Sequence, residues 1–274
     1  MAEQKKAPLL KVQEDFEKNI QGFLGVNEDV VLILDYDGTL APIAEQLAPM
    51  PKDTELAIKK LAANEKVFMC IMSGRNLDDI KKHMKLETVT YAANHGLEVE
   101  YPDKSKFSIE MPQALLDKYG KLLEELKEKV VCSGAWVEDK KIALTYHYKG
   151  VNDKLRAKLI EDAKKIIKSH GFQIIDAHYA IEGKPPVNWD KGEAVKMILE
   201  KKFGEDWAKK LKIIYAGDDT TDEDAMKVLK GVGKTFRVSE QPNLKTYADF
   251  QLKTPNETSL MLKWVLDHYL AKKK

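Results

Sequence analysis

This chain of 274 residues contains few cysteines and has almost no excess of charge of either sign. Its two cysteines, Cys70 and Cys132, exclude a disulfide-stapled scaffold. The 45 lysine and arginine residues nearly cancel the 44 acidic ones, and this balance argues against nucleic-acid binding. No apolar run approaches the roughly 20 residues of a membrane span, and the charged N-terminus leads into no signal sequence. We therefore expect a cytoplasmic protein that binds neither nucleic acid nor membrane.

Short continuous apolar runs are present, and they are typical of buried parallel strands. Four such runs are Val30 to Leu34, Val67 to Met72, Val89 to Ala93 and Ile213 to Ala216. Between the first two, residues 54–63 place apolar side chains at helical spacing, which predicts a strand–helix–strand unit. The sequence thus predicts an α/β protein with a doubly wound, mostly parallel, Rossmann-like sheet.

The middle of the chain departs from this pattern. Amphipathic helices are predicted over residues 112–131 and 152–170, and each is followed by a pair of short strands. This order predicts a small antiparallel sheet with helices on one side. We interpret residues 112–187 as an inserted α+β cap domain, with irregular structure of the core as the alternative.

The remaining boundaries follow from this interpretation. The predicted core consists of residues 27–111 and 188–274. Residues 1–26 form a lead-in segment, since the apolar spacing within residues 8–28 predicts a helix.

Carboxylates follow the first and the last predicted strands, at the end of the sheet where ligands bind in such folds. Asp35 and Asp37 lie two residues apart, and carboxylates so close need a cation or a shared proton. Mg²⁺ suits them because it prefers oxygen ligands. An acidic stretch, Gly217 to Asp224, precedes a helix predicted over Ala225 to Lys230. Alone, the Asp35 and Asp37 pair is equally typical of a turn after a strand, and the acidic stretch is more typical of an ordinary helix N-terminus.

Two further features suit a phosphate group. Ser73-Gly74-Arg75 offers a hydroxyl and backbone amides at a predicted helix start. Lys191 begins an amphipathic helix and could pair with both a phosphate oxygen and an aspartate. In isolation, the first would be a helix cap and the second a solvated lysine.

Together these motifs resemble those of haloacid dehalogenase-like phosphatases, namely Asp35-Tyr36-Asp37-Gly38-Thr39-Leu40, Ser73, Lys191 and Gly217-Asp218-Asp219-x-x-Asp222. Narrower matches are similar to trehalose-6-phosphate phosphatases over about residues 27–270, namely Asn94-His95-Gly96-Leu97-Glu98, Val137-Glu138-Asp139-Lys140-Lys141 and Thr145-Tyr146-His147-Tyr148. One position departs from the family, because Lys184 stands where an arginine is usual, and a point charge replaces a planar guanidinium.

The resemblance implies Mg²⁺-dependent hydrolysis of trehalose 6-phosphate through an aspartyl-phosphate intermediate. It implies that Asp35 is the nucleophile and Asp37 the general acid and base, and that Ser73 and Lys191 hold the phosphoryl group. The implied metal ligands are Asp35, Asp37 and Asp218, with Asp219 and Asp222 behind them. The implied substrate-binding residues are Arg75, Asn94, His95, Gly96, Glu138, Lys140, His147 and Glu182.

Three alternatives stay open at this point. Another sugar phosphate, such as sucrose phosphate or a mannosyl phosphate, is the nearest. A phosphomutase and a catalytically silent regulatory module of a synthase are the others, although the intact Asp35, Asp37, Lys191 and Asp218 argue against a silent module. A trehalose-phosphate synthase is a candidate partner, and a monomer is expected.

Overall fold

A computed structural model of the protein describes residues 3–20, 22–24, 29–44 and 48–270. The chain divides into two compact units. The core unit comprises Met1–Ser108 and Trp189–Lys274, and the inserted unit comprises Ile109–Asn188. Among the described residues, no helix is both long and apolar enough to cross a membrane.

The strands are short. In chain order they are β1 (Lys5–Lys6), β2 (Val30–Asp35), β3 (Val67–Met72), β4 (Thr90–Ala93), β5 (Glu98–Glu100), β6 (Lys106–Ser108), β7 (Trp136–Asp139), β8 (Leu144–His147), β9 (Gln173–Ala177), β10 (Ala180–Lys184), β11 (Lys212–Gly217), β12 (Lys234–Val238), β13 (Lys245–Thr246) and β14 (Phe250–Leu252).

The helices separate most of these strands. They are α1 (Gln13–Ile20), α2 (Lys52–Ala62), α3 (Leu77–Met84), α4 (Gln113–Lys129), α5 (Asp153–Ser169), α6 (Lys191–Phe203), α7 (Trp207–Lys210), α8 (Asp222–Val228) and α9 (Pro255–Leu270), with a 3₁₀ turn at Asn94–Gly96.

Two predicted helices differ from the observed ones. Of the lead-in helix predicted over residues 8–28, the structure contains α1, while residues 21 and 25–28 lie outside the described residues. The prediction that a helix begins at Ala225 is wrong, because α8 already begins at Asp222 and takes three acidic residues into its first turn. Acidic side chains are favoured there by the partial positive charge of the helix N-terminus.

The core unit is built on a sheet with the strand order β14-β12-β11-β2-β3-β4-β5-β6. The strands from β14 to β4 run parallel, and β5 and β6 continue the sheet in antiparallel pairing. The predicted mostly parallel α/β fold is therefore confirmed. Because β2 lies between β11 and β3, its carboxyl end is flanked by the carboxyl ends of both neighbours.

The sequence of β2 explains its central position. Every residue of this strand is buried, and successive side chains point to opposite faces of the sheet. Leu32 packs into one apolar cluster with helices α2 and α9, whereas Ile33 packs into another with α6 and α8. A strand covered on both faces needs a continuous apolar run rather than an alternating one, and Val30-Val31-Leu32-Ile33-Leu34 supplies it.

The inserted unit holds an antiparallel sheet with the strand order β7-β8-β10-β9. Tyr146 of β8 and Ile181 of β10 pack on one face against Leu126 of α4 and Ile167 of α5. The neighbouring side chains in each strand point to the opposite face, because the side-chain period of a strand is two. This unit therefore has its own apolar core under one face of its sheet.

We predict that Ile167→Ala lowers the free energy of unfolding of the inserted unit by about 2–5 kcal/mol, since Ile167 is fully buried and its truncation leaves a cavity. Leu155→Ala is the matched control, because Leu155 lies on the same helix and is 54% exposed. The control should change the stability by less than about 0.5 kcal/mol. Urea unfolding followed by circular dichroism measures both, and equal effects would contradict the packing described for α5.

Candidate active site

The centre of the site is the side chain of Lys191, which begins α6 and is only 2% exposed. Its Nζ donates to Asp35 Oδ1 at 2.9 Å and to Asp222 Oδ1 at 2.7 Å. Burial opposes a charge on this lysine, but the two carboxylates outweigh that cost and raise its pKa above the ordinary value. Lys191 therefore stays protonated and joins the carboxyl end of β2 to the start of α8.

Asp222 is fully buried and its carboxylate is well satisfied. Oδ1 accepts from Lys191 and from the Tyr215 hydroxyl at 2.5 Å, and Oδ2 accepts from the backbone N–H of Asp219 at 2.9 Å. Burial would raise the pKa of Asp222, yet Lys191 and these hydrogen bonds hold it below its ordinary value. Asp222 thus orients Lys191 and the loop before α8.

Asp218 differs from Asp222 in its hydrogen bonding. One carboxylate oxygen of Asp218 lies within 4.8 Å of carboxylate oxygens of Asp35 and Asp222, but in the described part of the chain the Asp218 carboxylate accepts no hydrogen bond. Burial, followed by the charge of Asp222, raises the pKa of Asp218 to about 7. Burial also raises the pKa of Asp35 well above its ordinary value, against the attraction of Lys191.

Three carboxylates so close together, with Asp218 unpaired, form an oxygen-rich site that suits a hard divalent cation. The electrostatics support this reading, because a cation would remove the cost that burial and mutual repulsion impose on Asp35 and Asp218. Asp222 has most of its lone pairs in use. Asp35 and Asp218 are therefore the better candidates for direct ligands.

Two glycines allow the acidic residues to come this close. Gly38 has φ +79°, and a Cβ there would lie 2.2 Å from Asp218 Oδ2. A Cβ at Gly217 would lie 2.2 Å from Cγ of Asp222. Any larger residue at either position would displace a carboxylate of the cluster.

Asp37 is not one of the three clustered carboxylates, and its side chain is held by Arg75. The guanidinium donates from Nε and Nη2 to the two carboxylate oxygens, each at 2.7 Å. Paired bonds of this kind fix the orientation of a carboxylate as well as its position. Ser73 lies beside this pair, fully buried, and its Oγ accepts from the backbone N–H of Arg75 at 3.1 Å.

The residues after β4 adopt an unusual backbone. Asn94, His95 and Gly96 all have positive φ, at 49°, 58° and 85°. For non-glycine residues this conformation is uncommon and costs energy, although Asn and His adopt it more readily than most. The N–H groups of Asn94 and His95 donate to the carbonyls of Arg75 and Ser73, both at 2.9 Å. This turn therefore fixes the end of β4 against the end of β3.

In the inserted unit, the other predicted residues share one sheet. Glu138 of β7 lies opposite Thr145 of β8, which in turn lies opposite Glu182 of β10. Nε2 of His147 lies 3.2 Å from Oε2 of Glu138. The residues adjacent to Glu138 and Glu182 in their strands face the helices. Because successive side chains of a strand point to opposite faces, Glu138 and Glu182 lie on the face of the sheet away from the helices. Lys140, which follows β7, donates to Glu182 at 3.4 Å.

The structure thus places the predicted residues in two groups, one in each unit. The core group comprises Asp35, Asp37, Ser73, Arg75, Asn94, His95, Gly96, Lys191, Asp218, Asp219 and Asp222. The group in the inserted unit comprises Glu138, Lys140, His147 and Glu182.

Sequence reasoning missed several residues in contact with these groups, among them Tyr215, Arg237 and Trp136. Tyr215 donates to Asp222, Arg237 donates to the carbonyl of Asp219, and Trp136 stacks on His147. Tyr215 had a signal in the sequence, since it is the only polar side chain in the apolar run of β11 after its first residue. Arg237 comes from a separate strand, and no motif points to it.

We predict that the stability of the protein in EDTA falls as the pH rises from about 4 to about 7. Folding raises the pKa of Asp218 from 3.8 to about 7, so the folded state favours the protonated acid and loses that advantage across this interval. At pH 8 in EDTA, Asp218→Asn should therefore melt above the wild type, by about 2–4 °C for each kcal/mol of relieved repulsion. Differential scanning fluorimetry measures this.

Millimolar Mg²⁺ should raise the melting temperature of the wild type and leave that of Asp218→Asn nearly unchanged. Asp206→Asn removes an exposed acid of the same unit and should alter neither value. If Mg²⁺ stabilises the Asp218 variant as much as the wild type, the cation binds elsewhere.

Comparison with known proteins identifies the family. The family model described as trehalose-phosphatase matches residues 33–256. The chain is 33% identical to the probable trehalose-phosphate phosphatase J of Arabidopsis thaliana over 258 residues, which cover 88% of this chain and 68% of that protein.

Two solved structures have the same fold. The C-terminal domain of trehalose-6-phosphate phosphatase from C. albicans superimposes with a TM-score of 0.77 at 22% identity, covering 96% of this chain and 98% of that one. A haloacid dehalogenase-like hydrolase from Bacteroides thetaiotaomicron gives 0.61 at 14% identity, covering 87% and 100%. At these sequence identities the structural similarity shows the fold alone. The match to the family model and the similarity to the Arabidopsis protein show membership of the family. The chain belongs to the trehalose-phosphatase family of phosphoric monoester hydrolases.

Proposed function

We propose that the protein hydrolyses trehalose 6-phosphate to trehalose and phosphate, with Asp35 as nucleophile and Mg²⁺ as cofactor. The observation that carries this proposal is the position of Lys191 between Asp35 and Asp222, with Asp218 beside them accepting no hydrogen bond from the described residues. This arrangement supports Asp35 as the nucleophile and Asp218 as a ligand for a cation. The choice of trehalose 6-phosphate as the substrate is based on the names of the similar proteins.

Asp35 and Asp218 would hold the metal, together with the backbone carbonyl of Asp37. Asp219 and Asp222 would support them from behind. When bound, Mg²⁺ neutralises charge on the phosphate and on the carboxylates, so that one anion can approach another. The side-chain oxygens of Asp37 are already engaged by Arg75, which favours the backbone carbonyl over the carboxylate as the ligand from this residue.

The first step forms a bond between Asp35 and phosphorus. One carboxylate oxygen of Asp35 attacks in line, the bond from phosphorus to the sugar oxygen breaks, and the electron pair leaves with that oxygen. Asp37, in its protonated form, gives the departing oxygen a proton. Lys191 and Ser73 stabilise the charge on the phosphoryl oxygens that do not react.

The second step regenerates the enzyme. Water attacks phosphorus, Asp37 takes one proton of that water, and the bond between phosphorus and the Asp35 oxygen breaks. Inorganic phosphate and the free carboxylate result. Because Arg75 binds both oxygens of Asp37, this carboxylate must give up at least one of those hydrogen bonds before it can carry the proton.

We also propose that the inserted unit acts as the cap that selects the sugar. Glu138 and Glu182 offer carboxylate acceptors for sugar hydroxyls, and Lys140 offers a donor. In the core unit, Arg75, Asn94, His95 and Gly96 are the proposed substrate-binding residues. Lys184, where an arginine is usual, is 9% exposed and lies at the end of the β10 strand that carries Glu182.

The compartment and the partner are also proposals. Cys70 and Cys132 are both free thiols, which suits a cytoplasmic location. The C-terminal domain of a trehalose synthase regulatory protein from Candida albicans has a similar fold, with a TM-score of 0.66 at 16% identity. Association of this chain with a synthase stays a prediction.

Phosphate release from trehalose 6-phosphate, sucrose phosphate and a mannosyl phosphate tests the function directly. We expect turnover of trehalose 6-phosphate with Mg²⁺ and none in EDTA. Asp35→Asn should abolish turnover, because the amide keeps the shape but loses the nucleophile. Preference for another sugar phosphate would overturn the substrate, and full activity in EDTA would overturn the metal.

A second prediction tests the sugar-binding role of the inserted unit. Glu138→Ala should lower kcat/KM for trehalose 6-phosphate, relative to that for an aryl phosphate, by about 30-fold to 1,000-fold. This range corresponds to about 2–4 kcal/mol for the loss of two hydrogen bonds to the sugar.

Asp176→Ala is the control for this variant. It removes a carboxylate from the same sheet, but Asp176 lies opposite Ile181 in the register and therefore points to the other face, where it pairs with Lys164. The control should leave the ratio of the two kcat/KM values unchanged. If the two variants behave alike, the sugar binds elsewhere.

A further inference from the structure

Trp136 is half in solvent, with 52% of its surface exposed. Two of the other three tryptophans, Trp207 and Trp264, are buried, and Trp189 is partly buried. A single exposed apolar side chain needs no explanation in itself. The case for a function therefore depends on what surrounds this indole ring.

One face of the indole ring is in contact with another side chain although the residue is exposed. Trp136 of β7 lies directly opposite His147 of β8, and their rings stack with centroids 4.0 Å apart at an interplanar angle of 15°. The histidine is fixed in turn, because its Nε2 lies 3.2 Å from Oε2 of Glu138. One face of the indole is thus covered by the imidazole, so the exposed area belongs to the other face and the edges.

The position of Trp136 in the sheet associates it with the proposed sugar-binding carboxylates. Trp136 and Glu138 are two residues apart in one strand, so both side chains lie on the same face. The register continues that row from Glu138 through Thr145 to Glu182. An aromatic plane therefore lies next to a row of hydrogen-bond acceptors, on the face that the helices of this unit do not cover.

We propose that Trp136 is a specificity-determining residue that stacks against a pyranose ring of the substrate, in the part of the sugar that carries no phosphate. A pyranose has C–H groups on its ring faces and hydroxyl groups at its rim. An aromatic plane beside carboxylate acceptors matches both features at once. This inference deepens the proposed function and depends on it.

His147 acts in this site as a positioning residue. It holds the indole ring through the stack and Glu138 through the contact of Nε2, so the apolar plane and the carboxylate keep a fixed separation. Little side-chain entropy is then lost when the sugar binds, because the aromatic ring is already ordered.

Three variants test the stacking role. Trp136→Ala removes the plane, and Trp136→Phe retains a smaller aromatic ring. Tyr179→Ala is the matched control, because Tyr179 is an exposed aromatic residue of the same unit, at 40%, that contacts Tyr148 and Arg156 instead. The readout is the ratio of kcat/KM for trehalose 6-phosphate to kcat/KM for an aryl phosphate.

We expect Trp136→Ala to lower this ratio about tenfold, with Trp136→Phe within about threefold of the wild type. Tyr179→Ala should leave the ratio unchanged. An unchanged ratio in Trp136→Ala, or equal losses on both phosphates, would overturn the stacking role. The second of these results would assign Trp136 to stability.

A binding measurement separates this inference from the proposed function. Unphosphorylated trehalose, added to the wild-type protein, should shift the tryptophan emission, and the shift should be lost in Trp136→Phe. A wild type that hydrolyses trehalose 6-phosphate without any such shift, and whose ratio survives Trp136→Ala, refutes the inference and leaves the function standing. A wild type that hydrolyses only the aryl phosphate refutes both.

Discussion

Lys191 places an ammonium group between two buried carboxylates, Asp35 and Asp222, and the geometry of the core site depends on that contact. Taking these charges out of water costs several kcal/mol for each ion, and only close pairing offsets the cost. The lysine orients Asp35 and, with Tyr215, nearly saturates Asp222. Asp218 is left beside them without a partner among the described residues, so the site holds more negative than positive charge and favours a cation.

The sheet supplies this arrangement through its strand order. β11 pairs with β2, so the loop that carries Asp218 begins next to Asp35 at the end of β2 and to the turn that carries Asp37. β3 flanks β2 on the other side and brings Ser73 and Arg75 to the same edge. Lys191 follows the inserted unit in the chain and enters at the start of α6. Residues distant in sequence thus meet because parallel strands end together.

Much of this could be predicted from the sequence. The apolar runs of β2, β3, β4 and β11 predicted the mostly parallel sheet, and the motifs identified the family. The predicted helices over residues 112–131 and 152–170 correspond to α4 and α5. Such elements have a strong local signal, because burial on both faces of a strand or on one face of a helix leaves a period in the sequence.

Side-chain pairing had no such signal. The two hydrogen bonds between Arg75 and Asp37 join residues 38 positions apart, and the stack of Trp136 on His147 depends on a hairpin register. Neither follows from composition or spacing. The start of α8 was misplaced because acidic residues suit both a metal-binding loop and a first helical turn.

The most direct test of Asp35 as nucleophile is the stereochemical course at phosphorus, measured with an isotopically chiral phosphorothioate analogue of trehalose 6-phosphate in labelled water. Each in-line displacement inverts the configuration. Attack by Asp35 followed by attack of water therefore predicts overall retention. Overall inversion would mean that water attacks the substrate directly, and it would contradict the role given to the carboxylate that Lys191 holds.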